Sequence, residues 1–268
     1  MAKLLWDQSG ERTYETGVDH GILFVQNAGV YGDGVAWNGL TTVTESPSGA
    51  EASAIYADNI KYLNLYSAEE FGCTIEAYTY PDEFGVCDGS ADIATGVSIG
   101  QQERKSFGFA YRTRLGNDQD GDSYGYKLHL IYGCRASTTQ KGYSTVNDSP
   151  EAINFSWEVT TTPITVKGYK PTANVIIDST KSDSTKLARI NAIIEGTDDT
   201  YTLLASEPAD WSTNFTSYYT KNASTNKYEA VTGETAPTFV ADTYYSKTEG
   251  TASRLPLPDE IMDIFSEG

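Results

Sequence analysis

Histidine chemistry has little to work with here, because the chain of 268 residues holds only two histidines, His20 and His129. A histidine-based zinc centre takes more imidazoles than that, and neither residue stands in a nucleophile motif. His129 lies in Lys127-Leu128-His129-Leu130, whose alternation marks an exposed or interfacial strand position rather than a general base. Gly32-Asp33-Gly34 resembles a phosphate loop without its third glycine, and no Gly-Lys-Ser follows, so a turn is the better account. Asp118-Gln119-Asp120-Gly121-Asp122 sets three carboxylates at every other position, the way calcium loops gather hard oxygen ligands. The glycine falls between the second and third acids and no bidentate Glu follows. Asp118, Asp120 and Asp122 are therefore candidate metal ligands set against a solvated hairpin tip between two strands. Neighbouring acids such as Glu69/Glu70 and Asp82/Glu83 meet the two-carboxylate requirement of glycoside hydrolysis, but among 37 acidic residues such pairs arise by chance. No catalytic residue and no cofactor is assigned, and the chain is expected not to be an enzyme.

Charge sets a second bound. With 19 Lys+Arg against 37 Asp+Glu the formal charge is -18, which repels phosphate backbones where a tight nucleic-acid binder would displace counterions with Lys and Arg. The same charge suits a protein that lies beside nucleic acid and must not stick to it. Cys73, Cys87 and Cys134 form no CxxC pair, so synthesis in a reducing cytoplasm is the simplest expectation. No apolar run approaches the ~18 residues of a spanning helix, and neither a signal peptide nor membrane insertion is expected.

The elements that would position these residues read as mainly β. Runs rich in Val, Ile, Thr, Tyr and Phe recur between Gly, Asp, Asn and Pro clusters. The strands expected are Leu40 to Thr44, Glu51 to Ala57, Ile60 to Tyr66, Phe71 to Tyr80, Ser106 to Arg114, Tyr126 to Cys134, Ala152 to Thr161 and Ala173 to Asp178. Asp58-Asn59 supplies hairpin chemistry between the second and third of them. One helix is signalled at Ser184 to Glu195, capped by Asp183, stopped by Gly196, with Leu187, Ile190 and Ile194 on the face that packs on a sheet. A short second helix starts at Pro258, with Asp259 and Glu260 at its positive end and Ile261, Ile264 and Phe265 as an apolar stripe. Residues 198–250 differ in character. They hold Tyr201, Trp211, Phe215, Tyr228 and Phe239, and the near copies Tyr218-Tyr219-Thr220-Lys221 and Tyr244-Tyr245-Ser246-Lys247 around a Gly233 turn region. These predict an inserted mini-domain, a small sheet whose paired aromatics, Trp211, Tyr218, Tyr219, Tyr244 and Tyr245 among them, form its core. With 8 acidic and 3 basic residues the insert is net -5, leaving -13 on the rest of the chain.

Several long segments carry a resemblance: Val35-Ala36-Trp37-Asn38-Gly39-Leu40, Thr44-Glu45-Ser46-Pro47-Ser48-Gly49-Ala50-Glu51, Tyr56-Ala57-Asp58-Asn59-Ile60-Lys61-Tyr62-Leu63, Ala68-Glu69-Glu70-Phe71 and Glu76-Ala77-Tyr78-Thr79-Tyr80-Pro81-Asp82-Glu83-Phe84. It continues through Gly125 to Leu130, Asn147-Asp148-Ser149-Pro150-Glu151-Ala152, Ile176 to Ile194 and Arg254-Leu255-Pro256-Leu257-Pro258-Asp259-Glu260. Together these resemble the major tail proteins, or tail tube proteins, of long-tailed bacteriophages of Gram-positive hosts. Coverage is most of residues 1–197 with 251–268. The chain departs from the pattern at 198–250, where simpler members have a short turn; that segment is similar to small aromatic-rich modules of other phage structural proteins.

The resemblance implies a tail-tube β-sandwich or barrel (mainly β, α+β) for 1–197 completed by 251–268, with one packed helix and the 198–250 insert facing outward. It implies a structural virion protein, made in the host bacterial cytoplasm, that forms hexameric rings stacked into the tail tube. Its partners would be itself, the tape-measure protein, then genomic DNA without tight binding during DNA ejection, and the tail terminator and distal tail proteins. The stretches Glu51 to Tyr66 and Phe71 to Tyr80 would line the bore, with Glu51, Ser53, Thr74 and Glu76 as lumen-facing candidates of an acidic conduit. The Pro81 to Lys105 loop and the amino-terminal arm would reach neighbouring subunits. Alternatives are the inner tube of a contractile tail or injection device, and a module that binds host-surface glycans through the insert.

Overall fold

The computed structural model describes residues 4–146, 148 and 151–267. Asn147, Ser149 and Pro150, which belong to the segments carrying the resemblance, lie outside the described residues. The chain divides into two units, Met1–Ile194 with Ser253–Gly268, and Glu195–Ala252, where the sequence places the insert at 198–250. The fold is mainly β, with antiparallel sheets.

The first unit runs β1 (Thr13–Asn27), β2 (Val30–Trp37), β3 (Leu40–Glu45), β4 (Ser48–Gly49), β5 (Ala52–Ala57), β6 (Ile60–Tyr66), β7 (Glu69–Glu70) and β8 (Gly72–Ala77). It continues through the short helix α1 (Gly85–Asp88), β9 (Ala91–Ala94), β10 (Val97–Ile99), β11 (Phe107–Asn117), β12 (Gly121–Ala136), β13 (Phe155–Thr161), β14 (Asn174–Asp178) and α2 (Ser184–Glu195). The main sheet has the order β2-β1-β11-β12-β13-β8-β3, with β14 also on β12. The long strand β12 serves two partners: Lys127 to Ile131 pair with β14, and Cys134 to Ala136 pair with β13. Gly133 makes the corner between them at φ 60°, with the Thr162 carbonyl packed where a side chain would be. Only glycine takes that conformation and that contact together.

Period-two alternation builds a core on each face of β1, β11 and β12. Leu23, Phe107, Phe109, Tyr111 and Ile131 pack with Trp37, Ile75, Phe84, Trp157 and Val159. The opposite face, with Phe24, Ala110, Leu128, Leu130 and Tyr132, is covered by Leu187, Ile190 and Ile194 of α2 and by Ile261 and Ile264 of the last helix. Strands buried on both faces lose the polar half of their pattern. For that reason His129, read from sequence as an exposed or interfacial strand residue, is in fact buried, 7% exposed. The expected helix is observed at Ser184–Glu195, and Asp183 Oδ1 accepts the amides of Thr185 and Lys186 at 3.0 Å each.

Two further expectations are corrected. Gly32-Asp33-Gly34 is the middle of β2, not a turn; the hydroxyl of Ser253 and the ring of Phe24 press on Gly34, so the glycine serves close packing inside a strand. The stretch from Pro81 to Lys105 is not a plain loop. It opens with a 3-10 turn at Asp82–Phe84 and α1, which send Phe84 and Cys87 into the core, and then forms the β9–β10 hairpin.

In the second unit β15 (Thr200–Leu203), β16 (Tyr218–Lys221), β17 (Tyr228–Ala230) and β18 (Tyr244–Thr248) form a sheet of order β15-β18-β16-β17, with the short helix α3 (Trp211–Asn214) beside it. Back in the first unit, the closing helix α4 spans Pro258–Ser266. The Ser253 hydroxyl donates to the Ile194 carbonyl, so the chain leaves and re-enters the first unit at one place.

Candidate functional site

The feature that stands out is a single β-ribbon. β3 and β8 pair as part of the main sheet, and the same two chain segments stay paired beyond it through β4–β7 and β5–β6. The register never slips between Thr42↔Glu76, Glu45↔Cys73, Ser48↔Glu70, Ala52↔Tyr66 and Ile55↔Leu63. A bulge follows at Ile55/Tyr56, and Asp58 and Asn59 turn the chain at φ 51° and 63°, the left-handed pair that a two-residue hairpin demands. The distal part, β5–β6, is a two-stranded sheet by itself. Tyr56 (69%), Tyr62 (65%), Leu65 (55%) and Tyr66 (69%) are exposed on it, with Ile55, Ile60 and Leu63.

The four lumen candidates lie on this ribbon but not on one continuous face. Thr74 and Glu76 share the outward face of β8, because Cys73, Ile75 and Ala77 point into the core. Their register partners Thr42 and Thr44 on β3 and Ser156 and Glu158 on β13 extend a polar surface that reaches Thr160 and, opposite it, Arg135. Ser53 pairs with Leu65 on the distal ribbon, and Glu51 precedes β5 with its amide bonded to Ser67. Between the two pairs Gly49 and Ala50 both take left-handed backbone, at φ 83° and 55°, and interrupt the strands.

Asp118, Asp120 and Asp122 occupy the tip of the β11–β12 hairpin, as the alternative to a cation site had it. Each carboxylate has a different partner: Asp118 accepts the Gly10 amide at 2.9 Å, Asp120 accepts the Asn117 side-chain amide at 3.0 Å, and Asp122 accepts the Tyr14 hydroxyl at 2.7 Å. Among the described residues no group of three His, Cys, Asp or Glu is placed to hold a metal ion. Glu69 and Glu70 are consecutive on β7 and so point to opposite faces. Cys73, Cys87 and Cys134 are free and buried. Burial pushes the thiols of Cys73 and Cys87 up to about 12, far from the thiolate form a nucleophile needs.

The insert's tyrosines divide between two faces. Trp211, 2% exposed, Phe215, Val231 and Tyr244 form its core with Tyr218 against them, and the indole N–H donates to the Pro237 carbonyl at 2.8 Å. Tyr219 and Tyr245 are register partners on the other face with Tyr201 and Tyr228. The rings of Tyr201 and Tyr228, from the two edge strands, stack at 3.9 Å across the face of the sheet. One shared aromatic core for all four repeat tyrosines is therefore corrected to two small clusters, because adjacent strand residues face opposite ways.

Sequence reasoning missed a polar network around His129. Its ring stacks on Tyr111 at 4.5 Å and 8°. Nε2 lies 3.0 Å from the Thr113 hydroxyl and 3.8 Å from Glu15 Oε1, and Nδ1 lies 3.3 Å from Glu45 Oε1 without hydrogen-bond alignment. Glu45 Oε1 also accepts the Tyr111 hydroxyl at 2.8 Å, while Glu15 accepts Thr113 and Lys127 at 2.5 Å each. Contact with His129 and the Tyr111 hydroxyl hold the Glu45 carboxyl below the usual range although burial opposes it. Burial raises Glu15 too, but its bonds from Lys127 and Thr113 outweigh that and leave it lowered. Glu15, Glu45 and His129 lie far apart in sequence, and no local spacing announces their meeting.

No family model matches the chain, and no curated protein matches it. Among the described residues no helix is long and apolar enough to cross a membrane.

Proposed function

We propose that the chain is a structural subunit that associates with copies of itself through the β-ribbon, as the tail tube protein of a long-tailed bacteriophage would. The observation that carries this is the distal β5–β6 ribbon, two strands with no third partner among the described residues, whose Tyr56, Tyr62, Leu63, Leu65 and Tyr66 are exposed. A lone two-stranded sheet is marginal in water, and open edges carrying apolar side chains invite pairing. A second copy of the same ribbon satisfies both needs, since edge pairing closes the backbone groups and side-by-side ribbons bury the rings. Closure into hexameric rings rests on the resemblance.

The outward face of β3, β8 and β13, which includes Thr74 and Glu76, supports the conduit reading: its strand positions are Thr, Ser and Glu, and Arg135 is the base adjoining them. DNA passing such a surface finds little Lys or Arg on which to release counterions, so it meets no adhesive well. The reading assigns the protein no bond-making chemistry, and the burial of Trp211 takes from the insert the indole on which a sugar ring would stack.

Negative-stain imaging and sedimentation of the purified chain test the proposal. Rings or hollow filaments are expected, and a Leu63→Lys/Leu65→Lys variant that stays folded should remain monomeric. A wild-type chain that stays monomeric at high concentration and salt would overturn it.

A further inference from the structure

The β-ribbon is jointed, and both of its strands break at the same place. Pairing stops after Gly49↔Glu69 and resumes at Ala52↔Tyr66, so two residues drop out on each side, Ala50-Glu51 and Ser67-Ala68, and the register is the same beyond them. We propose that the distal β5–β6 ribbon swings about this joint as one body between two orientations, and that the backbone of Ala50 is the switch.

Ala50 stands at φ 55°, in left-handed backbone that an alanine populates roughly tenfold less than its other conformations. Gly49 beside it, at φ 83°, takes such backbone freely and lets the Ala68 carbonyl close in where a Cβ would be. What holds Ala50 in place is slight. Its amide donates to the Ala68 carbonyl across 3.4 Å, the Ser67 amide to the Glu51 carbonyl across 3.3 Å, and the Glu51 amide to the Ser67 hydroxyl across 3.2 Å. Just before the joint, by contrast, the Ser46 amide meets the Gly72 carbonyl at 2.8 Å, an ordinary ladder bond. Residues 48–51 and 67–70 are all exposed, so no buried side chain fixes the angle of the joint.

Strain at one residue and three long, exposed hydrogen bonds are effects of similar size, so a second state with Ala50 extended lies close in free energy. The ladder needs no new register to reach it, because equal numbers of residues drop out on the two strands. β5–β6 keeps its own pairing from Ala52↔Tyr66 to Ala57↔Ile60 and turns as a unit. The exposed Ile55, Leu63 and Leu65 travel with it, so the joint sets the direction in which they are offered. This swing belongs to the single chain and does not depend on what the ribbon pairs with.

A distance measured across the joint tests this. Nitroxides are placed at Thr42→Cys, on β3, and Ala54→Cys, on β5, both exposed positions, while the native thiols are buried. In the full chain, diluted with unlabelled chain at low salt, two distances are expected. Ala50→Asn, whose side chain tolerates left-handed backbone, should keep chiefly one of them, and the β-branched Ala50→Val should shift the ratio about tenfold toward the other. Ala50 is exposed, so neither change touches the core. Hydrogen exchange within Ala52–Ala57 and Ile60–Tyr66 should be alike in all three proteins, since the ladder turns intact. A distance distribution that is the same in both variants overturns the proposal. So does an Ala50→Val chain whose β5–β6 amides lose protection, because the ribbon would then melt rather than swing.

Discussion

Glu45 shows how a single side chain links charge to folding here. Its carboxyl lies below the ordinary value of 4.5 because of His129 and the Tyr111 hydroxyl. A carboxylate held low in the folded state adds stability that is present above its unfolded value and lost as pH falls through the folded one. Glu45→Gln is therefore expected to lower stability at pH 7 by about 1 kcal/mol, a figure reduced for its partial exposure, and to flatten the fall in melting temperature below pH 4.5. Glu15, Asp19, Asp178 and Glu260 are also held low by partners that outweigh burial, so the acid limb should shrink rather than vanish. Thermal melting of both proteins across this range is the check, and identical acid limbs would show that Glu45 is unlinked to folding. Asp183 offers a second residue-scale expectation. Its side chain satisfies two amides at the start of α2, and Asp183→Ala should cost about 1 kcal/mol by denaturant unfolding.

At the scale of elements, Gly133 is where β12 changes partner, and a Cβ there would collide with the Thr162 carbonyl at a backbone φ of 60°. Gly133→Ala is expected to destabilise by roughly 2 kcal/mol or more, from strain and clash together, read as a lower denaturant midpoint. An unchanged midpoint would mean the corner is made by other residues. Which elements were legible follows the same physics. The helix Ser184–Glu195 and the turn at Asp58-Asn59 are announced by local chemistry, a cap, a stripe and left-handed residues, so the sequence shows them to the residue. The strand Thr13–Asn27 is not announced, because register shifts after Thr16 and Asp19, with Gly17 and His20 at positive φ, break its period of two twice over. Asp118 to Asp122 lie at the β11–β12 hairpin, the turn that the sequence set against a cation site there, because a turn is a local signal. The ribbon was legible only as separate hairpins, since its unity lies in a shared register across segments that look like loops, and the His129 network was invisible because four strands, β1, β3, β11 and β12, supply it.

For the whole molecule, net charge opposes the association proposed for the ribbon. Each chain carries -18, so neighbouring copies repel, and the repulsion is screened within about 10 Å at 0.1 M salt and about 3 Å at 1 M. Assembly should then rise with added sodium chloride while the unfolding midpoint of the monomer changes little, because apolar burial between ribbons is not weakened by salt. Sedimentation from low to high salt would show it, and assembly that declines with salt would mean that ion pairs across the interface, rather than apolar ribbon contacts, hold the copies together. The division of the chain sets a companion test. Ile194 and Ser253 are joined by a hydrogen bond, so Glu195–Ala252 can be replaced by a short glycine-serine link without stretching the first unit. That shortened chain is expected to fold, keep its β-rich circular dichroism and assemble as the full chain does, at a lower charge per copy and so at lower salt. Folding without assembly would move the association surface from the ribbon to the insert, which separates the two units' roles in one experiment.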